Sequence, residues 1–253
     1  MSVEFRKIFD TIPEQFDCYR PRYCKELFNT LISKAHIDEQ KRVLELGPGT
    51  GQATEPILCT GCDYHAIELG ENLANVMRRK YEGLPNFNIV VDDFITHDFG
   101  NKKFDAVYSA ATIQWIPEEI AFPKIFDLLK PGGTLAMMLM REDYKTPNEK
   151  LYTEIQKVYS RHYRPTEEYK GGYKYKDCLK YGFEEFVMHE YYGKREFTAE
   201  QYTAYCGTHC THMVIEPGHR KAFFDGLRNT VLAAGNKIVF WDTYILMMAK
   251  KPL

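Results

Sequence analysis

Three glycines at alternate positions form the part of the chain whose residue types and spacing most directly indicate chemistry. Gly47, Gly49 and Gly51 follow an acidic residue, Glu45, in the run VLELGPGTG. Because glycine has no Cβ, such a loop can turn sharply from strand to helix and let a ligand lie against bare main chain. A dinucleotide-binding G-x-G-x-x-G loop would need its third glycine at position 52, which is Gln52. The spacing therefore disfavours a nicotinamide oxidoreductase, and a glycine-rich turn without a ligand is the alternative to a binding loop.

The segments around this loop are predicted to form the strands and helices that position it. A β-prone run at 43–46 precedes the loop, and a helix-compatible segment runs from Gln52 to about Thr60. Strands and helices then alternate, with strands predicted at 64–69, 87–91, 104–110 and 134–140 and helices at 71–82 and 118–130. This alternation predicts a parallel sheet with helices on both faces. Ahead of the loop, the spacing of apolar residues predicts two helical pieces within 4–36. Pro21 is predicted to lie in the first turn of the second helix.

Acidic residues stand at the predicted ends of the next two strands. Glu68 ends the second strand, about 20 residues beyond the loop, and its two oxygens suit hydrogen bonds to both hydroxyls of a ribose. Asp92, Asp93 and Phe94 close the third strand. The alternatives are an exposed strand-end acid at 68 and an ordinary core phenylalanine at 94. Because ligands of open α/β sheets bind at the carboxyl ends of strands, these residues are candidates for one site.

Several segments together resemble the Rossmann-like S-adenosylmethionine (SAM) methyltransferases. The acidic-x-G-x-G-x-G loop resembles their motif I, and LLKPGGTL at 128–135 is among their most frequent signatures. The run FDCYRPRY at 16–23 resembles the Y-x-x-x-R-P-x-Y preamble of the trans-aconitate methyltransferase-like group. The run ATIQWIP at 111–117 resembles the A-x-x-x-H-W segment of that group, with Gln114 where histidine is common. The resemblance covers essentially the whole chain.

The resemblance implies SAM as the cofactor and a set of residues that would bind it. The glycine loop would pass under the methionine and ribose, Arg20 would lie near the methionine carboxylate, and either Asp92 or Asp93 would face the adenine amino group. A solvated helix end is the alternative for Tyr19 and Arg20. The residues implied to bind the cofactor are Tyr19, Arg20, Glu45, Gly47, Gly49, Gly51, Glu68, Asp92, Asp93, Phe94, Ala110, Gln114 and Trp115.

The fold class expected is α/β, a doubly wound, mostly parallel seven-stranded sheet whose last strand is antiparallel. A helical cap is expected after the fifth strand. We predict a helical lid at 1–36, a SAM-binding core at 37–140, a cap insertion at 141–183 and completion of the sheet at 184–253. In that last part, a strand is predicted at 184–197, a helix at 199–206 with a Thr198–Gln201 capping box, a helix at 217–234 and a strand at 241–249. A further helix is predicted at 147–162.

Composition restricts the partners and the compartment. The chain has 253 residues and a formal net charge of −2, which gives no electrostatic reason to expect nucleic acid or an anionic membrane. No apolar run is long enough to span a bilayer. Seven scattered cysteines favour reduced thiols, and the first residues lack the apolar core of a signal peptide. We therefore expect a cytoplasmic monomer or homodimer with no nucleic-acid or membrane partner.

The predicted reaction is methyl transfer from SAM to a small molecule that offers a carboxylate, a hydroxyl or an amine, with carboxylate favoured. A carboxylate needs no general base, whereas His209 or His212 could assist a hydroxyl, and Tyr19 is a further catalytic candidate. The Asn/Asp-Pro-Pro-aromatic motif of enzymes that methylate nucleobase or glutamine amino groups is missing, since 109–112 reads SAAT. The alternatives are a SAM-binding regulatory protein without turnover, and a methyltransferase acting on protein or tRNA.

Cysteines and histidines are spaced like metal ligands in one segment of the second half. Cys206, His209, Cys210 and His212 fall within seven residues, and a C-x-x-C pair ends at Cys62. A metal site would require these groups to converge, and nothing in the sequence requires that. No metal is therefore predicted.

Overall fold

The protein is built around a single seven-stranded sheet. The computed structural model describes residues 5–169 and 171–253, so residues 1–4 of the predicted lid and residue 170 of the predicted cap lie outside the described residues. The strands are β1 (Arg42–Leu46), β2 (Asp63–Glu68), β3 (Phe87–Val91), β4 (Phe104–Ala110), β5 (Leu129–Asp143), β6 (Glu184–Phe197) and β7 (Ile238–Lys250). Their spatial order is β3-β2-β1-β4-β5-β7-β6. The first five strands pair in parallel and the sheet also contains one antiparallel pair, which confirms the predicted fold class.

The helices follow the predicted alternation but are shorter than the sequence pattern suggested. Their bounds are α1 (Phe5–Ile8), α2 (Pro13–Tyr19), α3 (Lys25–Ala35), α4 (Glu55–Leu58), α5 (Glu71–Lys80), α6 (Glu118–Leu128), α7 (Glu149–His162), α8 (Ala199–Cys206), α9 (Cys210–Met213) and α10 (Pro217–Ala233). The prediction that Pro21 opens the second N-terminal helix was wrong. The backbone is extended at Arg20 and at Cys24, and α3 begins only at Lys25.

The Pro131-Gly132-Gly133 segment was predicted to end a helix, but it lies inside β5. Helix α6 already ends at Leu128, and Leu129 pairs with Phe104 of β4. The register between the two strands then shifts before it resumes. A Cβ on Gly133 would lie 2.8 Å from the Lys130 carbonyl oxygen, so the irregular stretch needs glycine there.

The chain divides into two compact units. Unit 2 contains residues 21–140, 171–191 and 244–253, including the first four strands. Alternate residues of its central strands enter two different hydrophobic clusters; Val107 and Met137 join one, whereas Tyr108 and Met138 join the other. Both faces of these strands are therefore buried, as expected of a parallel sheet covered by helices on both sides.

Unit 1 contains residues 1–20, 141–170 and 192–243. Its apolar core lies among α7, α8 and α10, and the predicted capping box at the start of α8 is present in full, with Thr198 and Gln201 bonded reciprocally. Near that core, Arg195 donates from Nε to Asp242 Oδ2 at 2.5 Å and from Nη2 to Glu142 Oε1 at 2.5 Å. These bonds compensate the burial of the charges.

Among the described residues, no helix is long and apolar enough to cross a membrane.

Candidate cofactor site

The glycine loop adopts backbone conformations that only glycine takes without strain. Gly47, Gly49 and Gly51 have φ values of +60°, +61° and +95°. A Cβ on Gly47 would lie only 2.3 Å from Thr112 Cγ2. Thr112 comes from the loop after β4, and its hydroxyl donates to the Gly47 carbonyl oxygen at 2.9 Å. The loops after β1 and β4 are thus joined at the carboxyl edge of the sheet, where ligands of such sheets bind.

Glu68 lies beside this loop at the end of β2. Its Oε2 accepts from the Gly49 N–H at 2.9 Å, and its Oε1 accepts from the Gly70 N–H at 2.9 Å. The side chain is only 6% exposed. Two backbone donors therefore hold the carboxylate at a defined position where the ends of β1 and β2 meet.

The acidic pair after β3 makes mainly local bonds. Asp92 accepts from the Asp93 N–H at 2.8 Å and lies 2.8 Å from His97 Nδ1, and the bond to His97 is the main cause that lowers the pKa of Asp92. Asp93 Oδ1 accepts from the Ile95 N–H at 2.9 Å. Phe94 is buried in the core, with the Lys124 ammonium 5.2 Å from its ring centroid. The two carboxylates stand at the neighbouring strand end, as the sequence predicted.

The end of β4 and the loop that follows it contain the remaining residues of unit 2 that were predicted to bind the cofactor. Ala110 is the last residue of β4, and Ala111 has a φ of +54°, which is uncommon for a residue other than glycine. The Gln114 side-chain amide donates to the Ala111 carbonyl oxygen at 2.9 Å, and the Tyr175 hydroxyl donates to Gln114 Oε1 at 3.3 Å. Trp115 ends the 3₁₀ turn that follows. Such strained backbone is concentrated at functional sites in proteins.

Glu45 was predicted to bind the cofactor, but the structure places its carboxylate inside the protein. Its Oε2 accepts from the Thr54 hydroxyl at 2.7 Å, from Tyr64 at 2.5 Å and from Tyr108 at 2.6 Å. The side chain is 0% exposed, so it does not reach a ligand-facing surface. The carboxylate instead ties β1, β2, β4 and the start of α4 together beneath the loop. Burial raises the pKa of Glu45, although the three hydroxyls oppose that effect.

This elevated pKa predicts how the stability of the protein depends on pH. A carboxyl group whose pKa is higher in the folded state contributes stability below its unfolded pKa and loses that contribution as the pH rises through the folded value. The glutamine in Glu45→Gln does not titrate, so the free energy of unfolding of the wild type should fall relative to that of the variant as the pH is raised from 4 to 8. Urea denaturation across this range measures the difference. Glu55→Gln, at an exposed helix position, is the control and should show no such trend. A constant difference between wild type and Glu45→Gln would contradict the prediction.

Tyr19 and Arg20, also predicted to bind the cofactor, belong to unit 1, whereas the glycine loop belongs to unit 2. Arg20 Nη2 donates to the Thr208 carbonyl oxygen at 2.6 Å, and the guanidinium lies over the rings of Phe9 and Phe16. Its Nε is buried without a hydrogen-bond partner. Tyr19 packs against the core of unit 1. Arg20 thus keeps one donor available.

The two histidines proposed as catalytic candidates have different surroundings. His212 is buried, with Nδ1 2.9 Å from the Cys206 carbonyl oxygen and Nε2 3.0 Å from the Tyr159 hydroxyl. Burial lowers the pKa of His212 to about 4. Desolvation holds the pKa of His209 well below its usual range, and the positive charge of Arg20 is the second cause. Both imidazoles are therefore neutral at physiological pH, and both nitrogens of His212 are already engaged.

Sequence reasoning missed several residues that organise these regions. Thr112 gave no signal before its contact with Gly47 was known, since a threonine after a strand is unremarkable. Arg195 lies in the strand predicted at 184–197, where nothing in the alternating pattern distinguished it. The fold brings it to Glu142 and Asp242. Cys206, His209 and His212 do converge, with ligand atoms that all lie within 4.8 Å of one another. The spacing of these residues suggested the group, but the sequence could not show whether their side chains converge.

A family description matches the part of the chain that contains this site. Residues 44–137 match the methyltransferase domain family, a range that begins in β1 and ends in β5. The match includes the glycine loop, Glu68, the acidic pair and the loop after β4.

Individual relatives are methyltransferases of different kinds. The chain is 30% identical to ribosomal RNA small subunit methyltransferase A of Pseudomonas fluorescens over 112 residues, which are 44% of this chain and 41% of that protein. It is 29% identical to trans-aconitate 2-methyltransferase of Variovorax paradoxus over 126 residues, 49% of this chain and 48% of that protein. The chain thus spans about half the length, or less, of the curated relatives that it matches.

The fold is also found in solved methyltransferase structures. Phosphoethanolamine N-methyltransferase 2 of Haemonchus contortus, solved with phosphomonomethylethanolamine and S-adenosylhomocysteine, matches with a TM-score of 0.57 and 16% identity, covering 100% of this chain and 61% of that one. The likeness at this identity concerns the fold. Residues 44–137 of this chain therefore match a methyltransferase domain, and the fold of the chain agrees with that match.

Proposed function

We propose that the protein is a SAM-dependent methyltransferase whose acceptor is a small molecule bearing a carboxylate. The observation that carries the proposal of cofactor binding is the position of Glu68. The Gly49 and Gly70 amides hold its carboxylate in place beside the glycine loop. The three glycines of that loop all have positive φ, a conformation that favours glycine. An ionised carboxylate with two oxygens at a strand end is suited to accept hydrogen bonds from both ribose hydroxyls.

The other residues of unit 2 have roles that follow from their places along the strand ends. The main chain of Gly47 to Gly51 would lie under the methionine and ribose, and Asp92 or Asp93 would accept from the adenine amino group. The segment Ala110 to Trp115 would border the reacting end of the cofactor. Glu45 would act indirectly, by holding the loop in place from beneath. In unit 1, the unpartnered Nε of Arg20 is a donor suited to a carboxylate.

The proposed reaction requires the protein mainly to position the acceptor and the methyl donor. Bound SAM would supply a methyl group on a sulfonium leaving group. A carboxylate oxygen of the acceptor would take that methyl as an ester, with S-adenosylhomocysteine as the other product and no proton to be moved. Alignment of the two reacting groups and exclusion of water therefore account for the catalysis.

The surroundings of the two histidines of unit 1 support a carboxylate over a hydroxyl acceptor. A hydroxyl needs a base, but both nitrogens of His212 already form hydrogen bonds, and the low pKa of His209 makes it a weak base. The similarity to trans-aconitate 2-methyltransferase agrees with this choice.

Calorimetric titration with S-adenosylhomocysteine, with NADH as the control titrant, is the first test. We expect micromolar binding of one S-adenosylhomocysteine per chain and no heat from NADH. Folded protein that fails to bind S-adenosylhomocysteine would remove the basis of the proposal.

The acceptor requires a second experiment. Release of S-adenosylhomocysteine from SAM should be followed with small di- and tricarboxylic acids, phenols, amines and ribosomal RNA, the last because one relative is an rRNA methyltransferase. We expect turnover with acids alone. Turnover only with RNA, or binding of cofactor without turnover on any substrate, would contradict the choice of acceptor and leave the cofactor assignment intact.

A further inference from the structure

We propose that Cys206, His209 and His212 of unit 1 form a binding site for a zinc-like transition-metal ion. The thiol sulfur of Cys206 and one ring nitrogen from each histidine all lie within 4.8 Å of one another. A thiolate with two imidazoles is a ligand set that suits Zn²⁺. The inference does not depend on the proposed function, because it uses residues of one short segment and no cofactor.

The local structure explains why the three ligands converge. Cys206 is the last residue of α8, His209 is the N-cap of α9, and His212 lies on α9. The ligands therefore follow a C-x-x-H-x-x-H spacing across a tight connection between two helices. The Gly207 amide donates to the Thr203 carbonyl oxygen, and the His209 amide donates to the Cys206 carbonyl oxygen, so the main chain turns back at this point. Such a segment can chelate an ion without contributions from distant parts of the chain.

His212 already has the orientation that a metal ligand requires. Its Nδ1 is 2.9 Å from the Cys206 carbonyl oxygen, so Nδ1 carries the hydrogen and Nε2 presents its lone pair. Histidines that bind metals usually donate their other ring N–H to a backbone carbonyl or a carboxylate in this way. Nε2 also lies 3.0 Å from the Tyr159 hydroxyl, which would have to turn away for this nitrogen to bind an ion.

The surroundings of Cys206 and His209 complete the site. The Tyr202 hydroxyl hydrogen-bonds the Cys206 side chain, and a thiolate would strengthen that bond. Glu142 interacts electrostatically with Cys206 and would offset the charge of an ion, while Arg20 and Arg195, which act on His209, would oppose it. Cys206 would bind as the thiolate and release its proton to solvent.

The geometry requires a small closure. In a tetrahedral site with bonds of about 2.0 to 2.3 Å, ligand atoms lie roughly 3.5 Å apart, so the widest pair must approach by about 1 Å. The proposal assigns this approach to the His209 ring, which packs edge-on to the rings of Tyr205 and His212. Three protein ligands leave the fourth position of the ion for a water molecule.

Cobalt titration of the full chain, freed of any affinity tag and of bound metal, tests the proposal. We expect one Co²⁺ per chain, with the d–d bands of a tetrahedral ion and a thiolate-to-cobalt charge-transfer band, and loss of all bands when Zn²⁺ is added. Cys206→Ser should lose the charge-transfer band and bind Co²⁺ at least about 10-fold more weakly. Cys210→Ser, at a half-buried cysteine outside the ligand set, is the matched control and should behave as the wild type.

Three results would overturn the inference: a wild-type chain without the charge-transfer band, an unchanged band in Cys206→Ser, or a band lost in Cys62→Ser instead. The last result would place the ion at the Cys59–Cys62 pair. Far-ultraviolet circular dichroism must show that each variant is folded. If Cys206→Ser does not fold, His209→Gln replaces it, since that half-buried position tolerates the change, and it should weaken Co²⁺ binding by a similar factor.

Discussion

Gly47→Ala is expected to weaken S-adenosylhomocysteine binding by at least about 100-fold. The new Cβ would lie 2.3 Å from Thr112 Cγ2 and 2.8 Å from Thr112 Oγ1, and the backbone at φ +60° is unfavourable for alanine by about 1 to 2 kcal/mol. The glycine loop and the loop after β4 must therefore move apart, which breaks the bond from Thr112 to the Gly47 carbonyl. A displacement of about 1 Å can cost roughly 100-fold in the rate of a catalysed reaction, and we expect a loss of the same order in cofactor affinity. Calorimetry measures the affinity, and denaturation shows whether the variant is folded.

Two further variants separate the steric effect from backbone strain. Gly100→Ala has nearly the same backbone, with φ +57°, but its Cβ would meet nothing within 4 Å, so this variant should bind S-adenosylhomocysteine as the wild type does. Adding Thr112→Ala to Gly47→Ala removes the closest clashing atoms and should restore part of the affinity. Unchanged binding in Gly47→Ala would show that the loop does not form the cofactor site.

Glu68→Ala is expected to reduce the affinity for S-adenosylhomocysteine by about 100-fold or more. Hydrogen bonds from a ligand to a charged group are worth about 1.5 to 3 kcal/mol each, and the carboxylate is proposed to accept two from the ribose. The substitution also leaves the Gly49 and Gly70 N–H groups without the acceptor that orients the loop. Both effects act on binding in the same direction. Calorimetric titration measures the loss.

Glu68→Gln tests the role of the charge at constant shape. One carboxylate oxygen becomes an NH₂ group, which must then face the N–H of Gly49 or Gly70, so a donor opposes a donor. We expect a loss almost as large as that of Glu68→Ala. Glu71→Gln, three residues further along at the exposed start of α5, is the control and should bind normally. Equal affinity of Glu68→Gln and wild type would show that the Glu68 carboxylate does not contribute to cofactor binding.

Features that depend on residues close together in the chain were predictable from the sequence alone. The strand, glycine loop and helix order, the strands at 87–91, 104–110 and 184–197, and the capping box at Thr198 were all predicted, because alternation, glycine sterics and capping act within a few residues. The parallel sheet followed from the alternation of strands and helices. The positions of Glu68 and of the acidic pair at neighbouring strand ends followed from the sheet.

The direction of each side chain and the identity of its contacts depend on tertiary packing. An acidic residue in motif I looks the same in the sequence whether its carboxylate faces a ligand or, as in Glu45, lies among three buried hydroxyls. The meeting of Arg195 with Asp242 joins residues 47 positions apart, and the convergence of Cys206 with the two histidines depends on the turn between two helices. Local propensity contains no information on such contacts, because the burial and the hydrogen-bond partners of a side chain are set by elements that pack against it from elsewhere in the chain.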